Sequence, residues 1–157
     1  MTKEKRPLAF WGLCVFLILS VGMLLVGQTS AVFAYDFAVG LGLQEPADQM
    51  SPFGVGVNRA FGLSDTLVYV PLIVIALIGL IRRRRWALPV TAAVMGISAY
   101  WAVTCSAIFA FVVGAPGYSF VPGPEYWITM GAYIVVGIWG LFYLVFRGHR
   151  LVDGSSR

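Results

Sequence analysis

Four long apolar segments alternate along the chain with shorter segments that carry most of the charged residues. The apolar segments cover about residues 8–27, 65–81, 88–113 and 126–146. An α-helix rises about 1.5 Å per residue, so about 20 residues cross the roughly 30 Å hydrocarbon core of a bilayer. The pattern therefore predicts an all-α protein whose four transmembrane helices form a single bundle and a single domain over residues 1–157.

The connection between the first two apolar segments is itself unusually apolar. Residues 28–64 contain many aliphatic and aromatic side chains, together with several glycines and prolines. An extended, exposed chain of this kind is unfavourable in water, and the glycines and prolines disfavour one continuous helix. We therefore expect an outer loop that caps the bundle and contains only short helical pieces.

The composition excludes an ordinary soluble domain. Hydrophobic residues make up 59% of the chain and charged residues only 11%, whereas charged residues average about 25% of soluble domains. The mean hydropathy is +0.85. These values are typical of an integral, multi-pass membrane protein.

The basic residues predict the orientation in the membrane. They precede the first apolar segment, separate the second from the third, and follow the fourth, so that Arg59 is the only one of the 11 on the opposite side. Cytoplasmic connections are enriched in Lys and Arg. We expect both termini in the cytoplasm, with the cell membrane as the location. The net charge of +4 then reflects membrane anchoring, and nucleic-acid binding is not expected.

Polar side chains within the predicted helices indicate where a site would lie, because the bilayer makes them energetically expensive. They are concentrated in the outer half of the bundle, whereas the inner half is almost entirely apolar. We predict a ligand pocket in the outer half, formed by Asp36, Asn58, Arg59, Asp65, Tyr69, Trp101, Cys105 and Tyr133.

Asp65 has two interpretations. With Ser64 it can form the N-cap of the second helix, where a carboxylate also suits the helix dipole. Alternatively, it lies on the wall of the pocket, with Tyr69 one turn further along the same face. Pro71 removes a helical hydrogen bond nearby and would bend the helix there.

Arg59 and Trp101 are also open to two interpretations. Arg59 is expected to pair with Asp65, Asp36 or Glu125, because an unpaired guanidinium at the hydrocarbon edge is costly, or else to bind an anionic group. Trp101 shares a helical face with Cys105 and either lines a pocket or packs in the core.

Several chemistries have no support in the sequence. His149 is the only histidine and lies in the C-terminal tail, so no haem, metal site or serine triad is predicted, and no cofactor is expected. Cys14 and Cys105 should differ in depth by roughly 15 Å, which excludes a disulfide between them.

The second apolar segment carries a resemblance to a known family. The run DTLVYVP from Asp65 to Pro71, followed by a basic turn that ends in Arg85-Trp86, resembles the EXPERA-domain membrane proteins, as does Asp36 near the outer end of the first segment. This family includes the emopamil-binding sterol isomerases and the sigma-2-type receptors. The resemblance implies a four-helix bundle, often dimeric, whose internal hydrophobic cavity has acidic side chains that meet cationic amphiphiles or sterol-like molecules. The third segment has no histidine, so the isomerase chemistry is not implied.

Three functions follow as hypotheses. The first is the binding of a hydrophobic or amphipathic small molecule in the outer half of the bundle. The second is an accessory or assembly subunit of a larger membrane complex. The third is an enzyme that acts on a lipid-like substrate with Asp65 or Glu125 as acid or base, so the sequence leaves enzymatic activity open. The expected partners are membrane lipids, the small molecule, and either a second copy or a larger membrane complex.

Overall fold

Four long helices form the protein. The computed structural model describes residues 6–152, so Lys3, Lys5 and Arg157, which contribute to the predicted charge asymmetry, lie outside the described residues. The long helices are α1 (Leu8–Phe33), α3 (Pro52–Ile81), α4 (Ala87–Val112) and α5 (Pro124–Arg147), and each is long and apolar enough to cross a membrane. The prediction of an all-α, multi-pass membrane protein built as a helical bundle is confirmed.

Two short helices accompany them. Helix α2 (Tyr35–Gly40) follows α1, and α6 (His149–Val152) follows α5. A single 3-10 turn, Ala47–Gln49, lies between α2 and α3.

The bundle has two chemically different ends. A tight turn joins α3 to α4, with Arg83 at φ 52°, and the guanidinium of Arg6 donates a hydrogen bond of 3.1 Å to the carbonyl oxygen of Ile81. These contacts bring the start of α1 and the α3–α4 turn together at what we call the arginine-rich end. The opposite end carries Asp36, Glu45, Asp48 and Glu125, and we call it the acidic end.

Helices α4 and α5 approach each other closely because α5 presents glycines to α4. A Cβ atom at Gly137 would lie 2.8 Å from the backbone nitrogen of Ala99 and 2.9 Å from the carbonyl oxygen of Met95. A Cβ atom at Gly140 would lie 2.6 Å from the sulfur of Met95. Small residues allow this kind of backbone contact between membrane helices. The contact fixes the relative positions of the α4 and α5 side chains that form the site.

The second long helix begins far earlier than its hydropathy predicts. Helix α3 starts at Pro52, and the hydroxyl of Ser51 is its N-cap, accepting a hydrogen bond of 3.3 Å from the backbone N–H of Gly54. Ser64 and Asp65 lie within the continuous helix, and neither caps it. The prediction of a Ser64–Asp65 N-cap is therefore wrong.

The glycines of Pro52–Ser64 disfavour a helix in sequence-based prediction, but in the structure one of them allows close helix packing. A Cβ atom at Gly62 would collide with the carbonyl oxygen of Gln28 and lie 3.1 Å from Val32. The close contact between α1 and α3 thus outweighs the low helix propensity of the Pro52–Ser64 segment. Since α1 also extends to Phe33, much of the predicted 28–64 loop is helical, and only the residues between Phe33 and Pro52 connect the two long helices.

Both of these helices contain a π turn at the same level. The π turns are Leu24–Thr29 in α1 and Asp65–Tyr69 in α3, and the hydroxyls of Thr29 and Thr66 form a hydrogen bond of 2.8 Å between them. In α3 the turn comes just before Pro71, which has no N–H to donate to the preceding turn. π turns are frequent at functional sites.

The glycine contact gives a first prediction. Gly137→Ala adds a methyl group against the α4 backbone, whereas Gly131→Ala on the same helix adds one where no atom lies within 4 Å. Both changes remove the same glycine penalty of about 1 kcal/mol. We expect Gly137→Ala to unfold more easily than Gly131→Ala by about 2 kcal/mol, because overpacking a tight contact costs about 1–3 kcal/mol. Detergent titration of the purified protein measures the difference, and equal stabilities would contradict the contact.

The helix start gives a second prediction. Ser51→Ala removes the capping hydroxyl and should lower the free energy of unfolding by about 1 kcal/mol. Ser64→Ala is the matched control, and a change of less than about 0.5 kcal/mol is expected because Ser64 is exposed in the helix interior. A larger loss for Ser64→Ala than for Ser51→Ala would put the helix start at Ser64.

Candidate functional site

A cavity of about 360 Å³ lies between α1, α3, α4 and α5 at the acidic end. Small-molecule sites have volumes of about 300–1,000 Å³. The apolar part of its lining includes Met23, Phe61, Trp101, Ile108, Phe109 and Met130. The polar part includes Gln28, Gln44, Glu45, Asn58, Glu125, Tyr126 and Thr129.

Each long helix contributes one face to the cavity. Trp101, Cys105 and Ile108 of α4 follow one another at spacings of four and three residues, which places them on one side of the helix. In α1 the lining residues Gly27 and Gln28 belong to the π turn. Residues 41–45, which follow α2, complete the lining.

Asp65 lies beside the cavity wall without lining the cavity. Its residue is only 5% exposed, and the indole of Trp101, also 5% exposed, lies next to its carboxyl group. Neither Oδ2 of Asp65 nor Nε1 of Trp101 has a hydrogen-bond partner of good geometry. A buried polar atom without a partner costs free energy, and more so in a bilayer. The side chain of Trp101 thus lines the cavity and also lies beside a buried carboxyl group.

Two tyrosines complete this buried cluster. The hydroxyl of Tyr69 forms a hydrogen bond of 2.5 Å with that of Ser98, and the hydroxyl of Tyr133 donates one of 2.9 Å to Ser20. The rings of Tyr133 and Trp101 have centroids 5.5 Å apart. Both tyrosines are near enough to Asp65 to interact with its charge. The structure therefore brings together four of the predicted site residues: Asp65, Tyr69, Trp101 and Tyr133.

A second polar group lies at the acidic end of the cavity and is centred on Glu45. The side-chain amide of Asn58 donates hydrogen bonds of 2.5 Å to Glu45 Oε2 and 3.1 Å to the hydroxyl of Tyr35. That hydroxyl in turn donates one of 3.0 Å to the carbonyl oxygen of Glu45. Glu45 is only 8% exposed, and this burial raises the pKa of its carboxyl group, although the Asn58 hydrogen bond opposes the shift. Burial likewise raises the pKa of Tyr35 and, with Glu45 nearby, that of Tyr118 to about 12.

Asp36 and Arg59 lie outside this arrangement. Both are exposed and neither lines the cavity. Within the part of the chain that the structure describes, Arg59 forms no ion pair with Asp65, Asp36 or Glu125; its guanidinium lies 5.7 Å from the ring centroid of Tyr35. The predicted ion pair is therefore not formed. Because α3 begins at Pro52, Asn58 and Asp65 share one helical face, and Arg59 is turned away from it by about 100°.

Sequence reasoning missed the roles of Gln28, Tyr35 and Glu45 at this end. Gln28 Oε1 is buried without a hydrogen-bond partner, although the residue lines the cavity. Glu45 lies in a short polar run, residues 44–49, within the otherwise apolar 28–64 connection, so no local pattern predicts its burial. Between residues 6 and 152, no three His, Cys, Asp or Glu side chains come together in a way that could hold a metal ion.

Comparison of the chain with protein-family models, with curated proteins and with solved structures gives no match. The resemblance to the EXPERA-domain proteins is not tested by this result and stays a prediction.

Proposed function

We propose that the protein binds a hydrophobic or amphipathic small molecule in the cavity at its acidic end. The observation that carries the proposal is a preformed cavity of about 360 Å³ whose lining is largely apolar and includes residues with unpartnered polar atoms. Ligand sites of soluble and membrane proteins commonly combine apolar walls with a few oriented polar groups.

The unpartnered atoms indicate how the polar part of a ligand is held. Gln28 Oε1 and Trp101 Nε1 belong to residues of the cavity lining, and each lacks a hydrogen-bond partner. A ligand that offers a donor to Gln28 would supply what this oxygen atom lacks, which favours binding, whereas Nε1 of Trp101 lies beside the carboxyl group of Asp65. Asp65 lies beside Trp101 and outside the lining, so its carboxyl group would act on a bound ligand only at a distance.

The orientation in the membrane belongs to the same proposal. With the arginine-rich end in the cytoplasm, as the enrichment of Arg and Lys in cytoplasmic connections favours, both termini of the chain are cytoplasmic. The cavity then opens at the outer leaflet of the cell membrane. A ligand would reach it from the outer leaflet or from the outer aqueous phase. An internal cavity in a four-helix bundle is also what the resemblance to the EXPERA-domain proteins implies.

The cavity itself is tested by filling it. Thr129→Trp places a large side chain into the lining, whereas Ile128→Trp places the same side chain on the neighbouring position, which is exposed on the outside of α5. We expect at least one compound from a panel of fatty alcohols, quinones, sterols and cationic amphiphiles to raise the melting temperature of the parent protein and of Ile128→Trp. At 100 times its Kd such a compound stabilises the protein by about 2.7 kcal/mol.

Thr129→Trp should abolish this stabilisation. If no compound stabilises the parent protein, or if both Trp variants respond equally, the cavity is not the binding site. Copurification of a stoichiometric protein partner, together with no response to the panel, would instead favour the subunit hypothesis.

The charge of Asp65 gives a separate prediction. Asp65→Asn keeps the shape of the side chain but removes its charge, and the exposed Asp36→Asn is the matched control. For compounds that carry a positive charge, we expect Asp65→Asn to raise Kd several-fold, because a carboxylate beside the cavity wall attracts a cation inside the cavity with little screening by water. Titrations monitored by Trp fluorescence measure Kd, and equal values for the two variants would show that the charge of Asp65 does not contribute to binding.

A further inference from the structure

One short segment covers the cavity at the acidic end. Residues 41–45 all belong to the cavity lining, although they are not part of any of the long helices. Gly42 adopts φ +69°, a conformation that glycine adopts without strain, and it turns the chain out of α2. We call residues 41–45 the cover segment.

Backbone hydrogen bonds tie the chain to its neighbours on both sides of the cover segment. On the α2 side, the backbone N–H of Leu43 donates a hydrogen bond of 3.0 Å to the carbonyl oxygen of Ala38. On the other side, the 3-10 turn is attached to the α4–α5 connection, because the backbone N–H of Ser119 donates a hydrogen bond of 2.9 Å to the carbonyl oxygen of Gln49. Between these points the segment is held by contacts of Leu43 and Glu45, which opening has to break while both attachments stay in place.

The middle of the cover segment has two side-chain contacts with the wall. Leu43 packs on Gly27 of α1, where an added Cβ atom would lie 3.4 Å from the Cβ atom of Leu43. Glu45 is held by Tyr35 and by the amide of Asn58, which is a neutral donor. Among residues 6–152 no basic side chain forms an ion pair with the Glu45 carboxylate, and burial raises its pKa. The Glu45 carboxylate thus has one charge-assisted hydrogen bond from a side chain, where a bidentate ion pair with Arg would provide two.

We propose that the cover segment is a lid, that Glu45 is its latch on Asn58, and that opening of this lid controls exchange of molecules between the cavity and the acidic end. Segments with few fastenings open at a lower free energy than the helices that carry them, and lids are drawn from such segments. The proposal rests on the proposed function for its biological meaning. The physical opening of the lid can be tested without any ligand.

Cys105 lines the cavity, so the reactivity of its thiol reports on access to the cavity. In a Cys14→Ala background it is the only native thiol, since the chain has two cysteines. Its reaction with a small uncharged maleimide, followed by mass spectrometry of the peptide that contains it, gives a rate of access. This rate is measured at fixed pH in detergent.

A disulfide can lock the lid for this experiment. Gly27→Cys with Leu43→Cys brings together Cβ atoms whose separation of 3.4 Å is close to the roughly 3.5–4.5 Å of natural disulfides. In the oxidised double variant we expect Cys105 to react at least about tenfold more slowly than in the Cys14→Ala protein, because the segment can no longer leave α1. Each single Cys variant controls for the substitution alone, and mass spectrometry confirms that the engineered pair, and not Cys105, is oxidised.

The latch is tested by removing it, which should raise the reaction rate of Cys105. Asn58→Ala removes the donor of the hydrogen bond to Glu45, keeps the Glu45 carboxylate near Cys105, and should speed the reaction of Cys105 by about tenfold, the effect of losing one hydrogen bond. Asp48→Ala removes an exposed acid of the same end and should leave the rate unchanged. Melting temperatures close to that of the parent protein show that the faster reaction does not come from unfolding.

The outcomes test the lid and the proposed ligand binding separately. If the locked and unlocked proteins react at the same rate, the lid is overturned whatever the cavity binds. If locking slows the reaction and no compound of the panel stabilises the parent protein, the lid stands and the proposed function fails. If compounds bind and the lock leaves Cys105 reactivity unchanged, the proposed function stands and the lid is overturned.

Discussion

In the hydrocarbon core of a bilayer, every polar group has to find its partner inside the protein, because no water is available to replace one. Several hydroxyls in the helices meet this requirement within their own helix. Thr91 and Ser98 of α4, and Thr66 of α3, each donate to the carbonyl oxygen four residues earlier. These hydroxyls need no partner on another helix, and the arrangement of the helices depends largely on shape, above all on the glycine contacts of α5 with α4 and of α3 with α1.

The exceptions to this rule are concentrated in one region. The buried side-chain atoms without partners include those of Gln28, Asp65 and Trp101, which lie on or next to the wall of the cavity. Trp101 shares this region with hydroxyls that are paired across helices, such as that of Tyr133 with Ser20. The same part of the bundle thus combines empty volume, unsatisfied polar atoms and side chains fixed by neighbouring helices. Such a combination is unfavourable for stability alone and is typical of a site that binds something.

The long helices could be predicted from the sequence because apolar length is a local property. The start of α3 could not, since Pro52–Ser64 contains glycines that disfavour a helix in isolation and favour one only when Gly62 meets the backbone of α1. For the site, depth in the membrane was enough to group Asp65, Tyr69, Trp101 and Tyr133, because side chains at one depth of a small bundle converge. Glu45 could not be found in this way. Its burial depends on Tyr35 and Asn58, which are distant in sequence, and on a turn whose path no local pattern specifies.

The paired π turns constrain which insertions and deletions α1 and α3 can accept. A π turn accommodates one more residue than an α-helical turn over nearly the same length, so each of α1 and α3 contains the equivalent of a one-residue insertion. Deleting one residue from the turn in α3 alone would rotate everything on one side of it by about 100° relative to the other. The face that carries Asn58 would then no longer be aligned with the face that carries Tyr69, while α1 kept its own register. The Thr29–Thr66 hydrogen bond joins the two insertions, which makes them a matched pair whose lengths are constrained to change together.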